Sequence, residues 1–407
     1  MSAQRSVLIS GASIAGPALA FWLNRYGWDC TIVERAPELR TGGQNIDIRG
    51  AGRQVLRRAG LEDAVREANT GEIGTRFLGD QGSVVAEFPV RKTDTAGATA
   101  ELEILRGDLA KILVDASSDD TEYIFGDHIV ALDDTDDGVR VTFNSGLERE
   151  FDLVIAADGM RSSTRDLVFG DSVVIKPLGM EMTYLTIPRT DTDTSWWNWY
   201  NEPGGLAVTL RPDRHGTTRA VLTSIIYGSD RSSSRLTPEQ HKSRLRQQFK
   251  NVGWEAPRVL AQLDSTDDMY VDTLGQVKAE HWSRGRIALA GDAAWCASPV
   301  SGMGTSLSIV GAYVLAGELA AHVDHRDAFA GYERIMRPYV DQAQQLPPGV
   351  PRVANPRTRA GLAALHVGLK LGATSLIGKI GARLFTPPAD KIELPDYSHL
   401  ERARSTD

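Results

Sequence analysis

Three short segments of this chain contain the residue types and spacings that suggest ligand chemistry, and the first is a glycine turn. Gly11 and Gly16 are followed, eighteen residues after Gly16, by Glu34. A tight glycine turn before a helix presents backbone N–H groups and a partial positive charge, which suit a pyrophosphate. A carboxylate at the position of Glu34 can accept hydrogen bonds from ribose hydroxyls. The segment predicts a dinucleotide site, although Ser13 replaces the middle glycine of G-x-G-x-x-G.

The other two segments each place an aspartate directly after an apolar run. Asp158 follows the run at 153–157 and begins an Asp-Gly turn, in a region where open α/β sheets bind ligands. Asp292 precedes a loop with Gly302 and Gly304 that leads into a long apolar stretch. Backbone N–H groups of that loop could face an anion, and Asp292 could accept from a sugar-chain hydroxyl. Each segment alone is also compatible with an ordinary turn, so the prediction depends on the set.

Hydrophobic patterning predicts the elements that would position these segments. Periodicity and turn residues predict alternating strands and helices at both ends of the core region, at Val7–Ser10, Ala15–Tyr26, Trp28–Glu34, Asp108–Ala116, Arg286–Ala290 and Ser306–His322. Aromatic and β-branched residues dominate 76–90 and 181–227, which predicts an antiparallel sheet. A nucleotide-binding domain is therefore interrupted by a sheet-rich domain.

This pattern predicts an α/β (mixed α+β) fold with a discontinuous nucleotide-binding domain. The predicted ranges are 1–75, 99–180 and 270–345 for that domain, 76–98 and 181–269 for a substrate-binding β-sheet domain, and 346–407 for a helical tail. In the tail Leu362, Leu365, Leu369, Leu376 and Ile380 share one helical face. The tail either covers the core or the substrate cavity, which we favour, or lies on a membrane surface.

Composition and charge exclude several other classes of protein. Among 407 residues, 42% are apolar and 24% charged, with a formal net charge of −8, which disfavours nucleic-acid and phospholipid partners. Two cysteines, Cys30 and Cys296, make a disulfide framework improbable and favour a reducing compartment. We expect a cytoplasmic protein, because no secretory leader and no long uncharged apolar run is apparent. The metal-binding patterns H-E-x-x-H and C-x-x-C are absent, so no metal is predicted.

Taken in order, the motifs resemble those of the single-component FAD-dependent aromatic hydroxylases. The chain reads GxSxAG with Glu34 and Arg35, then Arg106-Gly-Asp-Leu, then ADGxRSxxR, then GDAA…P…GxG. These are the para-hydroxybenzoate hydroxylase-like (group A) flavoprotein monooxygenases, and the tetracycline-inactivating monooxygenases are a close comparison. The resemblance covers roughly residues 5–345. It implies a Rossmann-like FAD-binding domain of three-layer ββα type, an inserted antiparallel sheet and a C-terminal helix.

The resemblance also assigns roles to individual residues, with FAD bound noncovalently. The glycine turn would bind the pyrophosphate, Glu34 and Arg35 the adenosine side, Arg106 the phosphate–ribityl region, and Val130 the adenine. Asp158 would lie at the cofactor, Asp292 would bind the ribityl or pyrophosphate portion, and Asp47 would lie near the flavin with Arg40 near the nicotinamide donor. The full predicted FAD site is Gly11, Ser13, Ala15, Gly16, Glu34, Arg35, Asp47, Arg106, Val130, Asp158, Asp292, Pro299, Gly302, Met303, Gly304 and Thr305.

The reaction that the resemblance implies is monooxygenation. NADPH or NADH reduces the flavin transiently, reduced flavin and O₂ give a C4a-hydroperoxide, and one oxygen passes to an aromatic or polyketide-like small molecule. No second glycine fingerprint follows a strand, which disfavours enzymes with a separate nicotinamide domain. No catalytic side chain is assigned, and a monomer or a homodimer is expected. Trp295 and Met303 depart from the His and Gln that many members have, which leaves the substrate open.

Three other functions remain open at this point. A reductase or dehydrogenase of the same fold would act on a prenyl lipid. A flavin-dependent halogenase is suggested faintly by Trp197 and Trp199 before Pro203, although the spacing is wrong. A flavoprotein without chemistry would only bind a partner, which intact Asp292 and the glycine loops disfavour.

Overall fold

A six-stranded sheet forms the centre of the larger layered region. The computed structural model describes residues 5–40, 42–90, 102–226, 236–347, 349–373 and 392–401. The strand order is β17-β18-β11-β1-β2-β7, parallel except for β17. Strands in a parallel sheet are covered on both faces, and Leu8 and Ile9 are accordingly fully buried. The strands are β1 (Ser6–Ser10), β2 (Asp29–Glu34), β7 (Thr121–Phe125), β11 (Leu153–Ala156), β17 (Ser283–Arg284) and β18 (Ile287–Leu289).

Helices cover one face of this sheet and a second sheet covers the other. Leu8 and Val33 pack against Val141 and Phe143 of the second sheet, which is antiparallel with strands β8 (Ile129–Asp134), β9 (Val139–Phe143) and β10 (Glu148–Phe151). The helices of this region are α1 (Ala15–Arg25), α2 (Gly50–Ala59), α3 (Glu62–Glu67), α4 (Arg106–Asp115), α5 (Ser163–Phe169), α8 (Asp292–Trp295), α9 (Gly304–Ala321) and α10 (His325–Ala343). The predicted three-layer ββα arrangement is confirmed.

A seven-stranded sheet forms the second large unit. Its order is β16-β12-β15-β14-β13-β4-β5, with β4 (Gly74–Leu78), β5 (Val84–Pro89), β12 (Val173–Pro188), β13 (Trp197–Glu202), β14 (Leu206–Pro212), β15 (Thr217–Ile225) and β16 (Tyr270–Ala279). The sheet was expected to be antiparallel, and one pair, β13 with β4, is parallel. A parallel pair requires a long connection, and here residues 79–196 supply it.

One face of the seven-stranded sheet is covered by two helices. Leu210 and Leu222 on that face pack with Leu245 and Phe249, from helices α6 (Pro238–Phe249) and α7 (Ala256–Ala261). Successive side chains of a strand point to opposite faces, so neighbours such as Arg211 and Trp199 lie on the other face. That face is turned towards the six-stranded unit, because Arg211 forms an ion pair with Glu103.

Two strands of the seven-stranded sheet lie wholly or partly in the ranges predicted for the nucleotide-binding domain. β12 begins at Val173, ahead of the predicted boundary at 180, and β16 occupies 270–279. Both strands pair along most of their length. The division into the predicted ranges therefore stays a prediction, and the strands mark where the chain passes between the two units.

The C-terminal part returns to the six-stranded unit after crossing the seven-stranded sheet. The helices α11 (Val350–Ala354) and α12 (Arg359–Ala373) come first, and Asn201 of β13 donates to the Ala354 carbonyl. Residues 392–401 then lie on α9, where the Tyr397 ring covers Gly317. Leu376 and Ile380 of the predicted helical face lie outside the described residues. By length and composition α9 could cross a membrane, and 78% of it is buried inside the protein.

Candidate functional site

The glycine turn after β1 contacts the Asp-Gly turn after β11. Gly11 has a φ of +110°, and a Cβ there would come within 2.6 Å of the Ala157 carbonyl oxygen and 2.9 Å of the Asp158 Cα. A Cβ on Gly16 would collide with the Gly11 carbonyl oxygen. Only glycine fits this close backbone approach, so the first two sequence segments share one edge of the sheet.

The start of α1 lacks the capping side chain that most buried helix ends have. Ile14 and Ala15 at this end are 8% and 7% exposed, and no side chain among the described residues caps the helix. Uncapped N–H groups in a buried setting call for an anionic partner. The Ala12 N–H donates instead to Glu34 Oε2 at 3.0 Å. This arrangement fits the pyrophosphate of a dinucleotide.

The end of β2 carries the two residues that are predicted to bind the adenosine side of FAD. Glu34 is half-buried, and its Oε1 also accepts from the Ala36 N–H at 2.9 Å. Arg35 is exposed and donates to Ser163 Oγ at 2.6 Å. The Asp127 N–H donates to the Glu34 carbonyl at 3.2 Å, which brings the start of β8 alongside. Val130 lies at an irregularity of β8 and is 40% exposed, and its contact with adenine stays a prediction.

The Asp158 carboxylate forms hydrogen bonds within its own turn. Its carboxylate accepts from the Ser162 hydroxyl and, at 3.2 Å, from the Thr164 N–H. Ser162 in turn caps α5 by accepting from the Arg165 N–H. Asp158 thus rigidifies the turn that Gly11 contacts, and its direct contact with FAD stays a prediction.

The third segment joins the first two around Asp292. Gly291 lies so close to α1 that a Cβ on it would be 2.8 Å from the Ala15 Cβ, and a Cβ on Gly304 would be 4.0 Å from Asp292 Oδ1. Burial and, to a smaller extent, the nearby Asp272 carboxylate raise the pKa of the Asp292 carboxyl to about 6. A buried carboxylate beside another carboxylate is stabilised by a hydroxyl donor. Asp292 therefore fits the predicted contact with a sugar-chain hydroxyl.

The loop from Pro299 to Thr305 begins with a strained backbone and ends in a second uncapped helix. Ser298 adopts a φ of +78° although it is not glycine, which is a strained conformation typical of functional loops. Met303 is fully buried and caps α9 without a side-chain hydrogen bond. Pro299 is exposed, while Gly302 and Thr305 are half-buried. These exposures leave the loop backbone accessible to a ring edge.

Arg106 connects the strand pair of β3 (Asn45–Ile48) and β6 (Leu102–Leu105) to the glycine turn. Its Nη1 donates to Ser13 Oγ at 3.2 Å, and a Cβ on Gly43 would lie 2.8 Å from its Nε. Burial lowers the pKa of Arg106, and Tyr270, Glu34 and Asp292 counteract this effect. A buried guanidinium on the glycine turn fits a phosphate ligand.

Asp47 is half-buried and paired with Arg49, whereas Arg40 is exposed. Asp47 accepts from Arg49 Nη2 at 2.9 Å, and the Arg49 N–H donates to Ser306 Oγ at 2.9 Å, which ties β3 to the start of α9. Arg40 is exposed and lies close enough to Arg106 to lower the pKa of Arg106. That Asp47 lies near the flavin stays a prediction. That Arg40 lies near the nicotinamide donor also stays a prediction.

Sequence reasoning missed a buried ionic cluster where the two sheets meet. Arg211 forms ion pairs with Glu72 and Glu103, each at 2.8 Å, and its guanidinium lies 4.2 Å from the Trp197 ring centroid. Asn45 donates to Glu103 Oε1 at 2.6 Å. Because Glu103 lies on β6, three residues before Arg106 at the start of α4, this cluster fixes the strand that leads to Arg106. No local motif marks these residues, whose partners are distant in sequence.

Trp295, one of the two residues that depart from the family pattern, has a structural role. It is 1% exposed and packs on Trp282 and Tyr332, so this departure lies in the core.

Comparison with known proteins agrees with this geometry. The family model described as FAD binding domain matches residues 4–346. The chain is 34% identical over 426 residues to the FAD-dependent monooxygenase asL4 of Sarocladium schorii, covering 98% of this chain and 99% of that protein. The crystal structure of tetracycline destructase Tet(55) is 33% identical with a TM-score of 0.76, covering 98% and 100%. Klebsiella pneumoniae HpxO, complexed with FAD and uric acid, shares the fold, with 19% identity, a TM-score of 0.77 and coverage of 97% and 99%.

These matches extend over nearly the whole chain and agree with the three converging segments. FAD binding and flavin-dependent monooxygenase function follow from them. This chain belongs to the FAD-dependent aromatic hydroxylase-like family of flavin monooxygenases.

Proposed function

We propose that this monooxygenase takes electrons from NADPH or NADH and transfers one oxygen atom of O₂ to an aromatic or polyketide-like small molecule. The carrying observation is that two helix starts without side-chain caps, those of α1 and α9, lie next to the segment Gly291–Asp292, and that Asp292 lies close to Asp272 of the seven-stranded sheet. Helix starts suit the phosphates and the ring edge of FAD, and the aromatic face of that sheet suits a flat substrate.

The chain's own residues would bind and orient FAD and the substrate, and they would exclude water from the site. FAD, when bound, supplies the redox chemistry. Gly11, Arg106 and the start of α1 would hold its phosphates, and Glu34 would hold its ribose. Asp292 would accept from its hydroxyl chain. The oxygen-transfer route that the family resemblance implies is part of this proposal.

Names of similar proteins support the substrate class. Tet(55) is called a tetracycline destructase, and HpxO was crystallised with uric acid. Both names refer to small molecules with fused rings. Trp197, Trp199 and Tyr184 on the sheet face provide matching flat surfaces here.

The test is to purify the FAD-loaded chain and follow NADPH and NADH oxidation with and without polycyclic phenols under ¹⁸O₂. We expect substrate-stimulated oxidation and a product heavier by one labelled oxygen. A product heavier by two hydrogens would instead identify a reductase, and a chlorinated product a halogenase. A preparation that takes up no flavin would contradict the whole proposal.

A further inference from the structure

The helix α12 (Arg359–Ala373) is apolar on two opposite sides. Its inner side packs against β5, where a Cβ on Gly372 would lie 4.0 Å from Phe88 Cζ. The residues of this inner side, all half-buried, include Leu362, Leu365 and Leu369. Every residue of α12 lies within the described part of the chain, and each is exposed or half-buried. The side turned away from β5 is therefore open to solvent.

The outward side of α12 is apolar as well. Val367 is 57% exposed and Leu371 is 51% exposed, and their spacing of four places them on one helical face. The neighbouring positions on that face are also exposed, and they are Ala360, Ala363, Ala364 and Gly368. A surface helix normally turns polar residues to solvent, so an apolar outer face indicates a binding partner.

The charged residues that border this outer face are cationic. Arg359 and Lys370 lie on the same flank of the helix, about three turns apart. Both are exposed, and neither forms an ion pair within the described part of the chain. The stretch 342–389 contains no aspartate or glutamate, whereas Arg352 and Arg357 also belong to it. A chain with a net charge of −8 thus carries a positive region around α12.

Contacts on the opposite side hold the helix in place. The Gly204 N–H, between β13 and β14, donates to the Arg357 carbonyl at 2.8 Å, just before the helix begins. Near the middle of the helix, half-buried His366 lies close to Asp80, which is between β4 and β5. The seven-stranded sheet therefore acts as a scaffold that presents the outer face of α12 to solvent.

Charge and length decide which partner fits this face. A second copy of the chain in two-fold contact would bring the same cations, Arg359 and Lys370, together with no carboxylate on either helix to pair them. A helix of 15 residues is about 22 Å long and too short to cross a hydrocarbon core of about 30 Å. A bilayer surface with anionic lipids matches both the apolar face and the cationic flank.

We propose that α12 docks the protein on an anionic phospholipid bilayer and lies in the plane of the membrane. Val367 and Leu371 enter the boundary between headgroups and acyl chains, and Arg359 and Lys370 contact lipid phosphates. The inference is independent of the reaction at the FAD site, because it uses no residue of that site.

The first experiment measures sedimentation of the FAD-loaded full chain with vesicles of phosphatidylcholine alone or mixed with phosphatidylglycerol. We expect binding to the mixed vesicles that weakens with added salt, because salt screens the attraction. Lys370→Glu should weaken this binding by about tenfold or more, since each charge close to an anionic surface contributes. Lys250→Glu makes the same charge change at an exposed site after α6, and this matched control should bind as the wild type does.

The second experiment tests the apolar face. Val367→Glu should weaken binding to the mixed vesicles by about tenfold or more, because it puts a carboxylate where the acyl chains lie. Val323→Glu, at a site that is 89% exposed just after α9, is the control and should bind normally. Retained FAD and an unchanged melting temperature show that each variant is folded.

A labelled variant decides the matter if Val367→Glu fails to fold. An environment-sensitive dye on Val367→Cys should shift its emission to shorter wavelength when mixed vesicles are added, and the same dye on Val323→Cys should not. Both native cysteines are buried and do not compete for the dye.

Three results would overturn the inference. The wild type could fail to bind the mixed vesicles, or Lys370→Glu and Val367→Glu could bind them as well as the wild type does. The third result is self-association without lipid that Val367→Glu abolishes, which would assign the outer face of α12 to a second copy of the chain.

Discussion

Asp292 combines two demands that conflict in the absence of FAD. Its position beside the start of α9 suits a hydroxyl ligand, yet its burial next to Asp272 makes the ionised form costly. A folded-state pKa of about 6, against 3.8 for the ordinary group, means that the folded chain binds the extra proton between these values. Stability of the FAD-free chain is therefore highest below pH 3.8 with respect to this group, and is lost as pH rises through 6.

Asp292→Asn should accordingly have opposite effects on cofactor binding and on folding. FAD affinity should fall about tenfold or more, because a charge-assisted hydrogen bond is lost. The FAD-free variant should be more stable than wild type above pH 6, by up to about 3 kcal/mol, and this gain should shrink towards pH 4. Flavin fluorescence titration and urea unfolding measure the two effects. A variant that binds FAD normally would contradict the assignment of Asp292.

The hydroxyl of Tyr397 allows a second test, which measures how much one buried hydrogen bond contributes to stability. Its hydroxyl donates to Glu318 Oε1 at 2.5 Å in the buried contact between residues 392–401 and α9. Tyr397→Phe should cost about 2 kcal/mol in the free energy of unfolding, because it leaves a buried carboxylate oxygen unpaired. Tyr332→Phe removes a bond to the Leu289 carbonyl at 3.2 Å and should cost about 1 kcal/mol. Equal losses of unfolding free energy in the two variants would show that another group hydrogen-bonds the Glu318 carboxylate once the Tyr397 hydroxyl is removed.

At the scale of elements, the two turns at the edge of the six-stranded sheet depend on each other. Gly11 is pressed against Ala157 and Asp158, which belong to a different part of the chain. Gly11→Ala should cost about 3 kcal/mol, since it combines an unfavourable φ with a backbone collision, and it should also reduce FAD retention.

Gly60 supplies the matched control for that substitution. It has a φ of +75° at the end of α2, and a Cβ there would meet nothing within 4 Å. Gly60→Ala should therefore cost only about 1 kcal/mol and leave FAD binding intact. Thermal unfolding of both variants with and without FAD measures the difference. Similar losses would mean that the contact with Ala157 can relax.

The elements that sequence patterns could predict are those with local signals. The strand–turn–helix–strand of 6–34 is contiguous, and its glycines and apolar periodicity predict it directly. The pairing of β13 with β4 carries no such signal, because its partners are more than a hundred residues apart. Asp272 and Arg211 were missed for the same reason, because the charged groups beside each of them lie on other elements.

At the scale of the whole molecule, family resemblance predicted more than physical patterning did. Asp158 and Asp292 lie in separate parts of the sequence, and the prediction that they share a site came only from the order of the motifs. The strands Val173–Pro188 and Tyr270–Ala279 contribute to the seven-stranded sheet beyond its predicted ranges. Their position follows from long pairings that hydrophobic alternation cannot assign to one partner.

The strand order of the six-stranded sheet has a consequence for synthesis on the ribosome. β1 lies between β2 and β11, and β11 pairs on its outer side with β18, at residues 287–289. A nascent chain that has emerged to residue 281 therefore carries all of the glycine turn but lacks one edge of the sheet and the whole of α9. We expect such a chain to be digested by protease and to take up no FAD, whereas the released full-length chain resists and binds it. Early FAD capture by the nascent chain would contradict this. We therefore expect the order of translation to delay cofactor loading until α9, which ends at Ala321 of the 407 residues, has been made.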